Sequence, residues 1–513
     1  HCSLAAMRRV LRQNPTVDPD VATAKGHDLS KVELDPRQVA SGAYLQALAM
    51  EHCQHFQTLA PGRALAPART LTWASACSGS AGDFVVKDAM QRAYAAFGLQ
   101  IRMPHLFQCD SSLAKRTWEK GVAKAFETDP QSCSCIFKEI GHIGNTEAEC
   151  AIHEKMCPVK SCDIFVCCTS CKDISRVSSA QGLVLLDSES VGGSANTFKG
   201  FLRYIENHRP TLIFFENVDS IDDVDPKSNA SNYDVVVAEI TARGYEIQRA
   251  NVNSKLFGIP QNRNRMMLIA VLVVANPAIS FADREIEVCF QTMRSLMKLC
   301  QRAAPCATKL LLPDGDPAVE AELNRRLGLG EKTAAYNVAA ARKCYNDVGL
   351  RWGALQLPKS LAESPWISTL TREQRDVVTY TMATTSKDVA FRDIGWSWTK
   401  VRCSTQYDGI NHITPTQMPK QLTMITVDGI APRLQLGREA FLMHGFPVAM
   451  PCLQKLVDAT AESVMTDLAG NMVSLPVMLA ILMSAIAALS WRRESDAAAA
   501  PNLEPPSDAL DAA

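Results

Sequence analysis

The sequence predicts an α/β fold: a doubly wound, mainly parallel sheet. Three observations carry that reading. Short apolar runs alternate with helical stretches from Leu71 to Val274. A turn of small residues, Cys77-Ser78-Gly79-Ser80-Ala81-Gly82, joins the first run to the first helix. Acids and a cysteine stand just past the ends of the apolar runs, where open α/β sheets bind their ligands.

The elements follow in order. Leu71 to Ala76 reads as the first strand, and Asp83 to Phe97 as the helix after the small-residue turn. Strand, tight turn and helix let a backbone approach a nucleotide-like ligand, although the turn lacks the G-x-G-x-x-G pattern. His105 to Cys109 is the second strand, ending at Asp110. An acid there can accept from both ribose hydroxyls, or cap the helix expected as far as Lys120. Ser134 to Phe137 is a third short strand, near Glu139. Ile164 to Cys168 is a buried strand that stops in small polar residues, placing Cys171 where an exposed nucleophile would stand. Lys172 and Arg176 flank it, and cations lower a thiol pKa. Thr197 to Asn207 reads as a helix, stopped by Pro210. The strand Thr211 to Phe215 then delivers Glu216-Asn217-Val218 to the same rim as Cys171. A helix at 233–243, a strand at 245–252, Gln261-Asn262-Arg263-Asn264-Arg265 and a strand at 266–274 complete the first half.

Bulk composition sets limits. The 513 residues allow two or three domains, and 47% hydrophobic with 21% charged residues is ordinary for a globular chain. A net charge of -1 supplies no global basic field, so any polyanion site is a local patch. Eighteen cysteines spread over the chain, with no signal peptide visible, suggest free thiols in a reducing compartment. Cys133, Cys135, Cys150, His153, Cys157 and Cys162 cluster, but without the paired C-x-x-C spacing of a zinc site, so no metal is expected. The apolar stretch Val473 to Leu489 would be about 26 Å long as a helix, short of a bilayer core of about 30 Å. A buried helix with Pro476 in its first turn is expected, and no membrane partner. The sequence starts at His1 rather than Met, as a fragment would.

Several of these pieces occur together in the order, and at about the spacing, of DNA cytosine-5 methyltransferases: Cys171 in its loop, Glu216-Asn217-Val218 and Gln261-x-Arg263-x-Arg265. Past the insertion, Arg433 to Pro447, with Arg438-Glu439 and Gly445-Phe446-Pro447, looks like that family's late motif. Gly470-Asn471-Met472-Val473 with Pro476 looks like its last one. The chain resembles the family over residues 70–275 and 405–490. It departs from the usual pattern at Ser170 and Lys172, where the family has Pro and Gln, at Cys77 and Ala81 in the turn, and at Asp110, where Glu is usual.

The resemblance implies a Rossmann-like methyltransferase domain at 67–277 completed by 431–491, and a target-recognition domain at 278–430. That region holds Trp352, Trp366, Trp396 and Trp398, four of the seven tryptophans. Residues 1–66 are an extension with no assigned chemistry, and 492–513 an Ala/Pro/Asp-rich tail expected to be disordered. The implied activity is that of a DNA (cytosine-5-)-methyltransferase. Cytosine C5 is a poor nucleophile, and a thiolate added at C6 turns it into an enamine carbon; Cys171 would supply the thiolate. Glu216, a carboxyl with its pKa raised in a dry pocket, would protonate or hydrogen-bond N3. Arg263 and Arg265 keep their charge. The family suggests that Arg265 holds the cytosine O2 and orients Glu216, while Asn217 shapes the loop. The implied cofactor is S-adenosylmethionine, held by the backbone of Cys77, Ser78, Gly79, Ser80, Ala81, Gly82 and Phe84. Asp110 would take its ribose and Glu139 its adenine amine, with Asn471 and Val473 returning to complete the site. The implied partner is double-stranded DNA with the target base flipped out, in the nucleus or wherever that DNA resides inside the cell. The alternatives are the same chemistry on RNA, or a catalytically weak methyltransferase-like regulator.

Overall fold

The computed structural model describes residues 35–66, 70–77, 79–126, 135–176, 178, 182–187, 193–274, 276, 278–279, 286–329, 336–385, 389–395, 398, 413–427 and 429–491. Nine strands form one sheet in the order β10-β11-β7-β6-β1-β2-β3-β4-β5. They are β1 Trp73–Ala76, β2 His105–Cys109, β3 Cys135–Phe137, β4 Glu147–Cys150, β5 Lys155–Pro158, β6 Ile164–Cys167, β7 Leu212–Val218, β10 Tyr245–Asn253 and β11 Asn264–Leu272. β8 (Val224–Asp225) and β9 (Ala230–Ser231) make a separate small ribbon.

The centre of the sheet, β7-β6-β1-β2-β3, is parallel. Its strands are nearly continuous apolar runs because both faces are covered. Trp73, Ile164, Val166, Leu212 and Phe214 face one core, and Ala74, Phe165, Cys167, Ile213 and Phe215 face the other. Antiparallel pairs close both edges: β11 with β7 and β10, and the hairpin β4–β5 against β3. That hairpin falls where the sequence pattern showed only scattered cysteines. The chain runs outward from β1 through β2 to β3, then returns to β6 and β7 on the other side. The crevice above the carboxyl ends of β1 and β6 is therefore the topological switch point, the ligand position of such sheets.

Helix Leu475–Ala488 is buried along its whole length and packs against Ala43–Leu59, Gly82–Ala96 and Ile286–Leu299. Among the described residues, no single helix is long and apolar enough to cross a membrane. Helix Ala43–Leu59, in a segment without a sequence assignment, contributes Leu45, Leu48, Cys53 and Phe56 to this core, and His52 Nε2 lies 3.0 Å from Ser484 Oγ. Helices Ser194–His208 and Asn232–Ala242 cover the opposite face.

A third, smaller core gathers Trp366, Val377, Tyr380, Trp398, Met424 and Leu434. It sits on the three-stranded antiparallel sheet β12 (Phe391–Asp393), β13 (Thr423–Ile425) and β14 (Arg433–Leu434). Trp396 and the tail 492–513 lie outside the described residues, as do residues 1–34. At the exit of the small core, the buried Arg433 grips Glu439 through two contacts of 2.6 and 2.9 Å. The same carboxylate accepts the backbone N–H of Leu312 and of Leu436, both at 2.8 Å. Glu439 thereby ties both ends of the inserted region to the helix Gly437–Leu442.

Candidate active site at the switch point of the sheet

The β1 turn is sharply coiled. Cys77, Gly79 and Ala81 all adopt left-handed backbone, with φ of 54°, 60° and 54°. That conformation is uncommon for residues with a Cβ and concentrates at functional turns. A Cβ added at Gly79 would meet Asn471 Cβ at 3.3 Å and Lys115 Nζ at 3.8 Å, so the last sequence motif closes over the first. At Gly82 an added Cβ would meet Leu475 Cδ2 at 2.5 Å. Ser80 is buried, and its carbonyl accepts a 2.7 Å hydrogen bond from Trp118 Nε1. Phe84 is enclosed, its ring 4.1 Å from that of His105, so it offers the turn its backbone alone. Ser78 lies outside the described residues.

Asp110 stands at the end of β2 and takes the capping role open to it. Its Oδ1 accepts the Ser112 N–H at 2.9 Å ahead of helix Leu113–Phe126, and its Oδ2 lies 3.6 Å from Lys115 Nζ. Glu139 follows β3, half-buried, its carbonyl accepting the His142 N–H at 3.0 Å. β3 is the neighbour of β2, which puts the two acids on adjacent strand ends. Asn471 reaches the turn from between the last two helices, and Val473 beside it in sequence is buried.

Cys171 lies across the crevice, four residues past β6. Its loop is laced to the start of helix Ser194–His208. The Ser170 N–H donates to Thr197 Oγ1 at 3.0 Å, and Asp173 and Ser194 exchange hydrogen bonds of 3.0 and 2.7 Å. These two hydroxyl residues were not singled out from the sequence. Their signal was Ser194 directly after Gly193 and Thr197 within the first turn that follows, at a helix start. Asn217, buried in β7, holds the loop from the other side, donating to Thr169 Oγ1 at 3.1 Å.

Glu216 and Arg265 meet on this rim. β7 and β11 are antiparallel, with Arg265 opposite Val218, so Glu216 is its diagonal neighbour on the same face. Glu216 Oε1 lies 3.0 Å from Arg265 Nε. The angle makes this an ion pair rather than a hydrogen bond, and Oε1 is buried with its hydrogen-bonding capacity unused.

Two expectations change. Arg176 does not serve the thiol: it is engaged by Asp219 at 3.0 Å and Asp223 at 2.8 Å. Lys172 is exposed. Burial pushes the Cys171 thiol up, and Arg265 and Arg263 are the cations that oppose this, while Glu216 adds to it. Arg263 faces inward. It is buried and donates to the carbonyls of Gln417 at 3.1 Å and Gly470 at 3.5 Å. Burial and the Arg265 charge push its pKa down to about 9, which leaves it a cation at neutral pH. It clasps the inserted region and the last motif together, and lends charge to the thiol from behind.

Residues 110–486 match the family model for the C-5 cytosine-specific DNA methylases. The DNA (cytosine-5-)-methyltransferase DMT5 of Cryptococcus neoformans var. grubii serotype A is 25% identical over 439 residues, 82% of this chain. The chain spans 17% of that protein's length. The type II methyltransferase M.NgoFVII of Neisseria gonorrhoeae is 26% identical over 143 residues, 27% of this chain and 35% of that protein. Among solved structures, a prophage DNA modification methyltransferase of E. coli aligns at a TM-score of 0.41 and 15% identity, covering 81% of this chain and 98% of that one. The S. pombe Dnmt2 methyltransferase aligns at 0.37 and 13%, covering 81% and 97%. With the family match extending over most of its length, the chain belongs to the C-5 cytosine-specific DNA methylases.

Proposed function

We propose that the chain methylates C5 of cytosine in double-stranded DNA through a covalent bond between Cys171 and C6 of a flipped-out base. The observation that carries this reading is the rim where the Cys171 thiol and the Glu216–Arg265 pair share one charged environment across the switch-point crevice from the Cys77–Gly82 turn.

The residues at that turn fit S-adenosylmethionine. Gly79 leaves room where a Cβ would crowd Asn471, and Asp110 presents a carboxylate at the adjacent strand end. When bound, the sulfonium supplies an electrophilic methyl group. The protein does the rest. Cys171, as thiolate, adds to C6 and pushes electrons toward C5. Glu216 meets the charge that develops at N3 with a proton or hydrogen bond, its buried Oε1 holding no hydrogen bond within the protein. Arg265 fixes that carboxyl and takes the cytosine O2. Loss of the C5 proton then lets the thiolate leave. Extruding the base costs a few kcal/mol, met by contacts elsewhere on the duplex. We assign those contacts to 278–430, supported by its separate aromatic core and by its attachment beside the site, where the Pro260 carbonyl accepts from the Thr414 N–H at 2.9 Å and the Asn262 N–H donates to the Thr414 carbonyl at 2.8 Å. The place of action is the compartment holding the target DNA, the nucleus in a eukaryotic cell.

A duplex carrying 5-fluorocytosine tests the chemistry. Fluorine cannot leave C5 as a cation, so the protein is expected to stall as an adduct that survives denaturing electrophoresis and requires S-adenosylmethionine. Cys171→Ala is expected to give none, and peptide mass to place the bond on Cys171. A crosslink at Cys167 or Cys168, or labelled methyl transfer to tRNA but not to duplex DNA, overturns the reading.

A further inference from the structure

Three thiols and one imidazole converge at the far edge of the large sheet, away from the switch point. Cys135 opens β3, Cys150 ends β4, Cys157 lies in β5, and His153 stands in the turn between β4 and β5. Strand register explains the convergence. Phe137 is opposite Cys150, so Cys135, two residues back, shares its face. Ala148 is opposite Cys157, so Cys150, two residues on, shares that face as well. The turn then folds His153 over the same side. The ligating atoms of all four residues lie within 4.8 Å of one another.

Hydrogen bonding does not account for this grouping. The Sγ atoms of Cys135, Cys150 and Cys157 lie 3.6, 3.3 and 3.4 Å from the same atom, His153 Nδ1. An imidazole nitrogen carries either one N–H or one in-plane lone pair, so it serves one partner. Three sulfurs around one nitrogen are instead the outline of a tetrahedron whose centre is a cation. Zinc bonds of about 2.3 Å to sulfur and 2.0–2.1 Å to nitrogen, at tetrahedral angles, put sulfur and nitrogen about 3.6 Å apart. The observed separations are at or slightly inside that value.

We propose that Cys135, Cys150, His153 and Cys157 bind a structural zinc ion. The donor set, three soft thiolates and an imidazole with four protein ligands, selects zinc over hard cations and leaves no open position for catalysis. On binding, the three thiols release three protons and the neutral imidazole lends its Nδ1 lone pair. No electron is transferred, and the metal with its ligands carries a net charge of -1. The surroundings suit this. Cys150 and Cys157 are walled in by the second core, and the Ile152 N–H lies 3.4 Å from Cys150 Sγ, the kind of outer contact that steadies a metal-bound thiolate. Cys162 stands apart, its Sγ 3.3 Å from the Tyr204 hydroxyl, and Cys133 lies outside the described residues.

The metal has a mechanical task at this edge. β3 and β4 share one ladder pair, Phe137 with Cys150, plus the 2.7 Å bond from the Ala151 N–H to the Ile136 carbonyl. Zinc would staple that thin joint from one side, fixing the hairpin to the strand that leads to Glu139.

The test uses the purified full chain and readouts independent of methyl transfer. Elemental analysis is expected to find about one zinc per chain. Cobalt(II) alone, added to reduced metal-free protein, is expected to give the intense visible bands of a tetrahedral site and a thiolate charge-transfer band in the near ultraviolet. Both should disappear in Cys150→Ser and Cys157→Ser and persist in Cys452→Ser, a control at an exposed cysteine elsewhere. Because those variants disturb a core, His153→Ala offers a second measure on an exposed turn. It is expected to keep the fold, shift the cobalt bands and weaken zinc binding at least tenfold. The proposal is overturned by protein without zinc that gives no tetrahedral cobalt spectrum. It is equally overturned by a spectrum unchanged in Cys150→Ser, or by a disulfide among the three cysteines when thiols are counted in denaturant.

Discussion

Cys171 meets two opposing influences, and the balance sets how the protein should respond to pH. Burial holds its proton on, and Arg265 is the first of the groups that pull it off. The thiol is therefore neutral at pH 7, and the thiolate fraction grows about tenfold per pH unit below the thiol's pKa. Single-turnover formation of the fluorocytosine adduct is expected to accelerate with pH across that range. Arg265→Gln removes the main opposing cation and frees Glu216, so its profile should shift alkaline and its rate fall by about 10²–10⁴-fold, the usual worth of general acid help. A profile that is flat, or not displaced in the variant, would show that thiol ionisation does not limit the step.

At the scale of elements, the β1 turn makes the most demanding use of backbone. Gly79→Val places a branched side chain in left-handed backbone and against Asn471, and Asp110→Ala removes the acid beside the turn. Hydrogen bonds to charged groups are worth about 1.5–3 kcal/mol, so each variant should bind S-adenosylmethionine roughly tenfold or more weakly by calorimetry. Unchanged affinity in both would remove the cofactor site from this turn. The central elements were legible because buried parallel strands are written as continuous apolar runs: Ile164–Cys167 and His105–Cys109 needed no tertiary information. Glu216 and Cys171 were legible as polar residues just where such runs end. The β4–β5 hairpin was not. Its strands are short and edge-bound, and Glu147 and Glu149 face outward, so neither an apolar run nor a turn signature marks it. The internal role of Arg263 was equally hidden. Its acceptors, the carbonyls of Gln417 and Gly470, lie 154 and 207 residues away, and a backbone carbonyl leaves no trace in side-chain identity.

For the whole molecule, the inserted region begins later in space than in sequence. Helix Ile286–Leu299 packs against Leu475–Ala488 and belongs to the first core. A deletion meant to remove DNA contacts should therefore spare it, along with Leu312 and Asp314, which touch Arg433. Replacing 316–430 by a short linker is expected to keep S-adenosylmethionine binding while abolishing affinity for duplex DNA. Equal DNA affinity with the same salt dependence would place recognition elsewhere. The wall of the β1 turn has a further consequence. Gly79 is closed by Asn471 and Gly82 by Leu475, nearly four hundred residues downstream. A ribosome making this chain emits the turn long before the residues that close it. Until then the first strands, with their apolar faces, wait unroofed, and contacts of such long sequence separation form slowly. A transcript cut short before Asn471 would yield a product holding every catalytic side chain and no closed cleft for them to work in.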